Sequence, residues 1–231
     1  MNVPINAITW TIGAIAYYAY AARSWASYHA AKNPLAHIYF WMTLIFGTAF
    51  LLFGAPALLF IDPLRLRVTY VLADVFVQAG MQTQVWLMWF IRFRNRFRLR
   101  HMLALSMTFS AILLIIEAAT STVSIQASPY LVIYADKPIV LILKSIIYLS
   151  VAMPLGYFFV RQAPAQPSLR GRLLSLLTGF IFLGVGLSAT SNNIFDRGSD
   201  TLSSALVTGG IFVVTFILCA FPRRWFKRKR T

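Results

Sequence analysis

The sequence predicts an all-α integral membrane protein, a seven-transmembrane helix bundle, and three observations lead to that prediction. The 231 residues are 59% hydrophobic and only 12% charged, whereas soluble domains are about 45–50% apolar and about 25% charged. Seven apolar stretches are long enough to cross a bilayer as helices, which takes about 20 residues each. Lysine and arginine concentrate in alternate connections between these stretches. Because the spans consume most of the chain, residues 1–231 are expected to form a single membrane domain.

The first three predicted spans cover residues 6–22, 37–61 and 68–91. The first is the shortest and is rich in tyrosine, a residue that favours membrane interfaces. The second is apolar almost throughout and carries Pro56 near its end. The third is apolar except for one polar face.

The remaining predicted spans cover residues 102–125, 138–160, 173–194 and 202–221. Pro154 in the fifth span removes a backbone donor, so a kink is expected there. The connection from Gln126 to Lys137 is expected either as a small hairpin or as a lid over the bundle. Gly184 and Ser188 form a pair of small residues that could pack against another helix.

The distribution of positive charge predicts the orientation. The first, third and fifth connections and the tail hold sixteen of the 21 lysines and arginines, and the opposite side holds four. Because the positive side of a membrane protein normally stays in the cytoplasm, the N-terminus is predicted outside and the C-terminus inside. The protein is therefore expected to be a multi-pass protein of the cell membrane. Its net charge of +15 is attributed to contact with an anionic inner leaflet rather than with nucleic acid.

Two basic segments on the predicted cytoplasmic side are candidates for contact with lipid or with an acidic cytoplasmic protein. Arginine alternates with other residues in the third connection, and the tail combines basic residues with Trp225 and Phe226. Arginine can extend its charged end to lipid phosphates while its stem stays in apolar surroundings. The candidate residues are Arg92, Arg94, Arg96, Arg98, Arg100, Arg223, Arg224, Lys227 and Arg228.

The polar face of the third span consists of Asp74, Gln78 and Gln82, which are four residues apart. This spacing places all three on one side of a helix. A carboxylate and two amides facing lipid would be costly, so this face is expected to point into the bundle or into a wet cavity.

Two further ionisable residues, Glu117 and Lys144, are expected at the depth of Asp74. Each of the three lies about six to eight residues from the outer end of its span, which corresponds to roughly 9–12 Å beneath the outer surface. In the fourth span a set of serines shares the face of Glu117, namely Ser106, Ser110, Ser121 and Ser124. The sequence thus predicts a polar outer-leaflet pocket, with these ligand- or ion-binding candidates: Asp74, Gln78, Gln82, Glu117, Lys144, Tyr148 and Asn192.

The expected pairing of these charges leaves two interpretations open. Lys144 with either carboxylate makes a neutral pair, and the second carboxyl would then bind a proton or a cation. The cluster would in that case be a site for a ligand, an ion or a proton. Alternatively, the same contacts form an internal salt bridge that only fixes the register of the helices.

No motif in the sequence predicts a metal, a cofactor or a catalytic residue. The three histidines lie at predicted cytoplasmic ends without metal-ligand spacing, and Cys219 is the only cysteine. Neither a P-loop nor a GxSxG nucleophile motif occurs. A membrane enzyme acting on lipid therefore has only two carboxyls and a lysine in its favour.

The predicted spans, the polar pocket and the basic segments together favour one function for the protein. It is a sensor- or receptor-type module with a polar outer pocket and a basic cytoplasmic face. One alternative is a proton, ion or small-solute transporter or a channel subunit, with the polar face of the third span as the path. Another is a structural or assembly subunit of a membrane complex. The seven-span plan is similar to that of receptors of many families and of the membrane sensor modules that precede bacterial histidine kinases. This resemblance is one of topology only.

Overall fold

The computed structural model describes residues 5–59, 62–120, 123–128, 131–135 and 137–194. Within these ranges the chain is predominantly α-helical, as the sequence predicts. The helices are α1 (Ile5–Ala31), α2 (Pro34–Leu59), α3 (Pro63–Met88), α4 (Leu99–Thr120), α5 (Pro138–Gln162) and α6 (Leu169–Ile194). The predicted seventh span and the basic tail, with Arg223, Arg224, Lys227 and Arg228, lie outside the described residues.

Three of the described helices are long and apolar enough to cross a membrane, judged by length and composition. They are α2, α4, and α5 together with its continuation to Ala165. Large apolar side chains cover the exposed face of α4, namely Leu105, Met107, Phe109, Ile112 and Ile115. Its buried residues, by contrast, are Ser110, Leu113 and Glu117. A helix with polar residues inside and apolar residues outside is arranged for lipid rather than for water, so the protein is a membrane protein.

Local sequence explains where several helices begin and end. Lys32, with φ of 50°, ends α1 in the left-handed conformation that often closes a helix. The Asn33 side chain then accepts the backbone N–H of Leu35 at 2.9 Å and caps α2. Asp62 caps α3 by accepting the N–H of Leu64 at 3.1 Å, and Pro63 supplies a first residue whose fixed φ suits a helix.

The prediction that the fourth span continues to residue 125 was wrong. Helix α4 ends at Thr120, and Val123–Ser128 forms β1. This strand pairs antiparallel with β2 (Leu131–Ala135), with Ile125 opposite Ile133. The connection is therefore the hairpin that was one of the two expectations, and Ser124 belongs to a strand rather than to the polar face of α4. The backbone of β1 lies beside α3, and that of β2 lies beside α1.

Helix α3 lies at the centre of the described bundle. It packs against α2 on one side and against α4 and α5 on the other, while α1 packs on α2 and α6 on α5. The apolar core joins side chains of five helices, including Ile38, Val85, Leu113, Leu155 and Phe182. In the following, the hairpin end is the end of the bundle at which α4 ends and α5 begins, and the arginine end is the opposite one.

Helices α5 and α6 pack with their backbones in close contact through Gly156 and Gly179. A Cβ atom on Gly156 would lie 2.9 Å from the carbonyl oxygen of Gly179, and one on Gly179 would lie 2.9 Å from that of Gly156. The hydroxyl of Ser175 donates to the carbonyl of Phe159 at 2.6 Å in the same contact. The close approach of α6 thus falls at this glycine pair, whereas the surroundings of Gly184 and Ser188 lie outside the described part.

At the arginine end, α3 passes into a π-helical turn, Trp89–Phe93, and a short loop leads to α4. The indole N–H of Trp89 donates to the carbonyl of Phe97 at 2.7 Å and ties this loop back to α3. All five arginines of the connection, Arg92, Arg94, Arg96, Arg98 and Arg100, are exposed. The connection is therefore an ordered basic surface at the end of a helix that can cross the membrane.

Replacement of Trp89 by phenylalanine is expected to loosen this loop, because the ring is kept while the hydrogen bond to Phe97 is lost. A net loss of about 0.5–1.5 kcal/mol per hydrogen bond predicts that trypsin cuts after Arg94 and Arg96 about two- to tenfold faster. Peptide mass spectrometry after brief digestion measures this rate. Trp25→Phe is the matched control, since Trp25 makes only ring contacts with described residues. Equal cleavage of both variants and the native protein would contradict the prediction.

Candidate functional site

Lys144 on α5 holds two carboxylates from two other helices. Its ammonium donates to Asp74 Oδ2 on α3 and to Glu117 Oε1 on α4, the latter at 3.1 Å. It also donates to the hydroxyl of Tyr70 at 3.1 Å and lies 5.1 Å from the centre of that ring. These three acceptors match the three N–H donors of an ammonium. We call Tyr70, Asp74, Glu117 and Lys144 the ion cluster.

The ion cluster is closed off from solvent. Asp74 is 3% exposed, Glu117 1% and Lys144 5%. Removing such charges from water costs several kcal/mol for each ion, and only close pairing with hydrogen bonds offsets that cost. The pairing seen here therefore stabilises the bundle only as a unit, because the loss of any one charge leaves another one buried.

The local sequence explains how three helices bring these groups together. Tyr70 and Asp74 are one turn apart on α3 and so share a face. Glu117 lies three residues before the end of α4, and Lys144 lies six residues after the start of α5. Because α4 and α5 are consecutive and joined by the hairpin, both residues lie near the hairpin end. Glu117 is accordingly about 4.5 Å from the end of its helix, closer than the sequence predicted, since α4 stops before residue 125.

A second polar contact lies farther along the same face of α3. The side-chain amide of Gln82 donates to the hydroxyl of Ser110 on α4 at 3.0 Å. That hydroxyl donates to the Gln78 amide oxygen at 2.9 Å. Gln78 is 2% exposed and Ser110 5%. The predicted polar face of α3 thus points into the bundle, against α4, over two turns.

Two of the three buried residues of α4 make polar contacts with other helices. Of its three buried residues, Ser110 bonds the two glutamines and Glu117 bonds Lys144, while Leu113 between them joins the apolar core. Ser110 and Glu117 are seven residues apart, about 10.5 Å along the helix. Helix α4 therefore has two polar attachments besides its apolar contacts through Met102, Leu103 and Ile116, and a change at the ion cluster acts directly on one of the two.

The other predicted candidates lie elsewhere. Tyr148 packs against the apolar core. Asn192 belongs to α6, but its side chain lies outside the described part, as does that of Ser121. The exposed arginines of the third connection form no ion pair with any described residue.

Two residues of the site were not among the sequence-predicted candidates. Tyr70 precedes Asp74 by four residues, so extending the spacing of the polar face by one turn would have found it. Ser110 was placed on the polar face of the fourth span but not among the binding residues. Its role depends on the pairing of α3 with α4, which no local pattern contains.

The ion cluster combines two carboxylates with one ammonium that pairs with both of them. The Lys144 ammonium forms ion pairs with both Asp74 and Glu117. If one carboxylate is neutralised, Lys144 remains paired with the other carboxylate. The described part of the chain contains no group of three His, Cys, Asp or Glu side chains placed to hold a metal ion.

The fold and this site define a helical membrane protein with a buried, three-helix ion cluster. No known family model, curated protein or solved structure matches the chain. Its function therefore has to be argued from the site.

Proposed function

We propose that the protein is a sensor- or receptor-type membrane module in which the ion cluster receives the stimulus. The observation that carries this proposal is the sharing of one Lys144 ammonium by Asp74 on α3 and Glu117 on α4. A proton, a cation or a polar ligand that neutralises one carboxylate shifts Lys144 towards the other. Because the two carboxylates lie on different helices, that shift alters how α3 and α4 are held together.

Helix α3 provides the connection from the ion cluster to the arginine end. It runs without a break from Tyr70 and Asp74 to Met88 and continues into the π-helical turn that leads to the arginines. Single π-helical turns recur at functional positions in helices. In the proposed topology of seven spans, with the N-terminus outside, the stimulus acts from the outer leaflet of the cell membrane. The exposed arginines then present a basic surface to an acidic cytoplasmic partner.

The packing beyond Gln84 favours a sensor over a channel or transporter. Towards the arginine end, the described interior contains apolar side chains, among them Val85, Leu87 and Leu155, each no more than 3% exposed. An ion or proton path along α3 would have to continue past these side chains beyond Gln84, the last buried polar residue of that helix, which is costly in a membrane. A module that transmits a change in helix packing needs no such path.

A distance measurement at the arginine end of the bundle, away from the ion cluster, tests the proposal. Spin labels at Asn95→Cys and Gln162→Cys, in a Cys219→Ser background, report the separation of the arginine loop from the end of α5. Asp74→Asn imitates neutralisation of one carboxylate and leaves Lys144 with Glu117. The proposal predicts a changed distance distribution in this variant, measured by pulsed electron paramagnetic resonance in nanodiscs.

Asp62→Asn is the matched control for this experiment. It removes the same charge at the exposed N-cap of the same helix, a position where asparagine also caps a helix. The control is expected to keep the native distribution. An unchanged distribution in Asp74→Asn would contradict the sensor function and favour the alternative in which the ion cluster only fixes helix register.

A further inference from the structure

Two buried amide atoms of α3 point to a second binding site, separate from the ion cluster. Gln78 Nε2 and Gln82 Oε1 are both shielded from solvent and have no hydrogen-bond partner in the described part of the protein. One is a donor and the other an acceptor, and they lie one helical turn apart on the same face. An unsatisfied buried polar atom is costly, and most such atoms in proteins are paired, often with an ordered water.

The remaining atoms of the same side chains already form a directed chain of hydrogen bonds. The Gln82 amide donates to Ser110, and Ser110 donates to the Gln78 amide oxygen. The free donor of Gln78 and the free acceptor of Gln82 are the two open ends of this chain. A molecule that accepts one hydrogen bond and donates another would close it.

We infer that a buried water molecule bridges Gln78 Nε2 and Gln82 Oε1 in the seam between α3 and α4. The water accepts from Gln78 and donates to Gln82, so that Gln82, Ser110, Gln78 and the water form a closed ring. Every member then donates in the same direction around the ring, an arrangement in which hydrogen bonds strengthen one another. Small neutral water suits the site better than an ion, because one open end is a donor and the other an acceptor.

The ring has a structural role that follows from its position. Ser110 is the second of the two polar points that hold α4, about 10.5 Å along the helix from Glu117. A water-completed ring fixes this point while the ion cluster, at the other point, rearranges. The inference rests on the hydrogen bonds of α3 and α4 and stands whether or not the protein is a sensor.

Nuclear magnetic resonance of the protein in nanodiscs, with ¹⁵N in its glutamine side chains, tests the inference. A bound water gives cross-peaks between the water resonance and the Gln78 side-chain amide protons, assigned through the loss of that signal in Gln78→Asn. Exposed Gln162 supplies the positive control for solvent contact and for an intact fold. The native protein is expected to show the cross-peak at Gln78 in spite of its burial. Absence of that cross-peak overturns the inference. It indicates that Gln78 Nε2 and Gln82 Oε1 bond each other directly or have no bridging molecule between them.

Two variants separate bound water from proton exchange through the nearby hydroxyl. Gln82→Met removes the acceptor of the bridge and is expected to reduce the Gln78 cross-peak by at least half. Ser110→Ala removes the hydroxyl but leaves both ends of the bridge, so the cross-peak is expected to persist. The reverse result, with the signal lost in Ser110→Ala and kept in Gln82→Met, assigns the signal to hydroxyl exchange and overturns the inference.

Discussion

Replacement of Lys144 by methionine is expected to lower the free energy of unfolding by about 3–5 kcal/mol, the cost typical of breaking a buried ion pair. The substitution keeps the length and the apolar stem of the side chain but removes the ammonium that contacts both Asp74 and Glu117. Two carboxyls then remain in the bundle interior without that partner. Thermal unfolding in detergent micelles, followed by tryptophan fluorescence and by the recovery of monodisperse protein, measures the loss.

A neutralised cluster is the control for this prediction. Lys144→Met combined with Asp74→Asn and Glu117→Gln removes all three charges while keeping similar shapes, and it is expected to recover most of the lost stability. Buried ion pairs can often be replaced by neutral groups at little cost. A single Lys144→Met variant that is as stable as the native protein would show that the carboxylates do not depend on this ammonium.

Gly156→Val is expected to separate α6 from α5 and to destabilise the protein by about 1–3 kcal/mol or more, because overpacking a tight contact has at least this cost. The new Cβ would meet Leu183 Cγ at 2.6 Å and the Gly179 carbonyl oxygen at 2.9 Å. The second contact is with backbone, which a change of side-chain rotamer cannot relieve. Thermal unfolding in the same detergent measures the effect, and cross-linking between cysteines placed on α5 and α6 reports whether the helices still dock.

Gly171→Ala provides the comparison for this variant. Gly171 lies in the first turn of α6, and its nearest contact for an added Cβ is the Ser168 hydroxyl at 3.1 Å. This hydroxyl accepts the N–H of Gly171 at 3.0 Å and needs to shift by only a few tenths of an ångström to make room. Alanine also has the higher helix propensity, so unchanged or slightly raised stability is expected. If Gly156→Val were no more harmful than Gly171→Ala, the close approach of the two helices would not contribute to stability.

The helical membrane class followed from composition because the cost of placing a residue in lipid depends mainly on the residue itself. The apolar stretches of α2 and α5 were therefore predictable, with predicted starts at residues 37 and 138 against Pro34 and Pro138 in the structure. Helix α1, in contrast, continues nine residues past its predicted end at residue 22. The inward direction of Asp74, Gln78 and Gln82 was predictable for the same reason. A polar face on an otherwise apolar helix has only the bundle interior to turn to.

The end of α4 shows where this reasoning fails. Residues 121–125 follow the apolar stretch without a proline, a glycine or a charge to end the helix, and short runs of this kind do not distinguish strand from helix. The β-branched residues Val123 and Ile125 favour a strand, but a strand forms only with a partner. That partner, Leu131–Ala135, is decided by pairing between segments, which periodicity within one segment does not reveal.

The sequence by itself determined that the chain is a helical membrane protein, that three charges lie within its apolar stretches, and that Asp74, Gln78 and Gln82 share one face. These properties depend on residue identity and on the fixed geometry of a helix. Only the tertiary structure decided that one Lys144 serves two carboxylates together with Tyr70, that Ser110 joins both glutamines, and that α6 docks at Gly156 and Gly179. Each of these depends on which helices become neighbours and at what register. That choice is made by the packing energy of the whole bundle and not by any single helix.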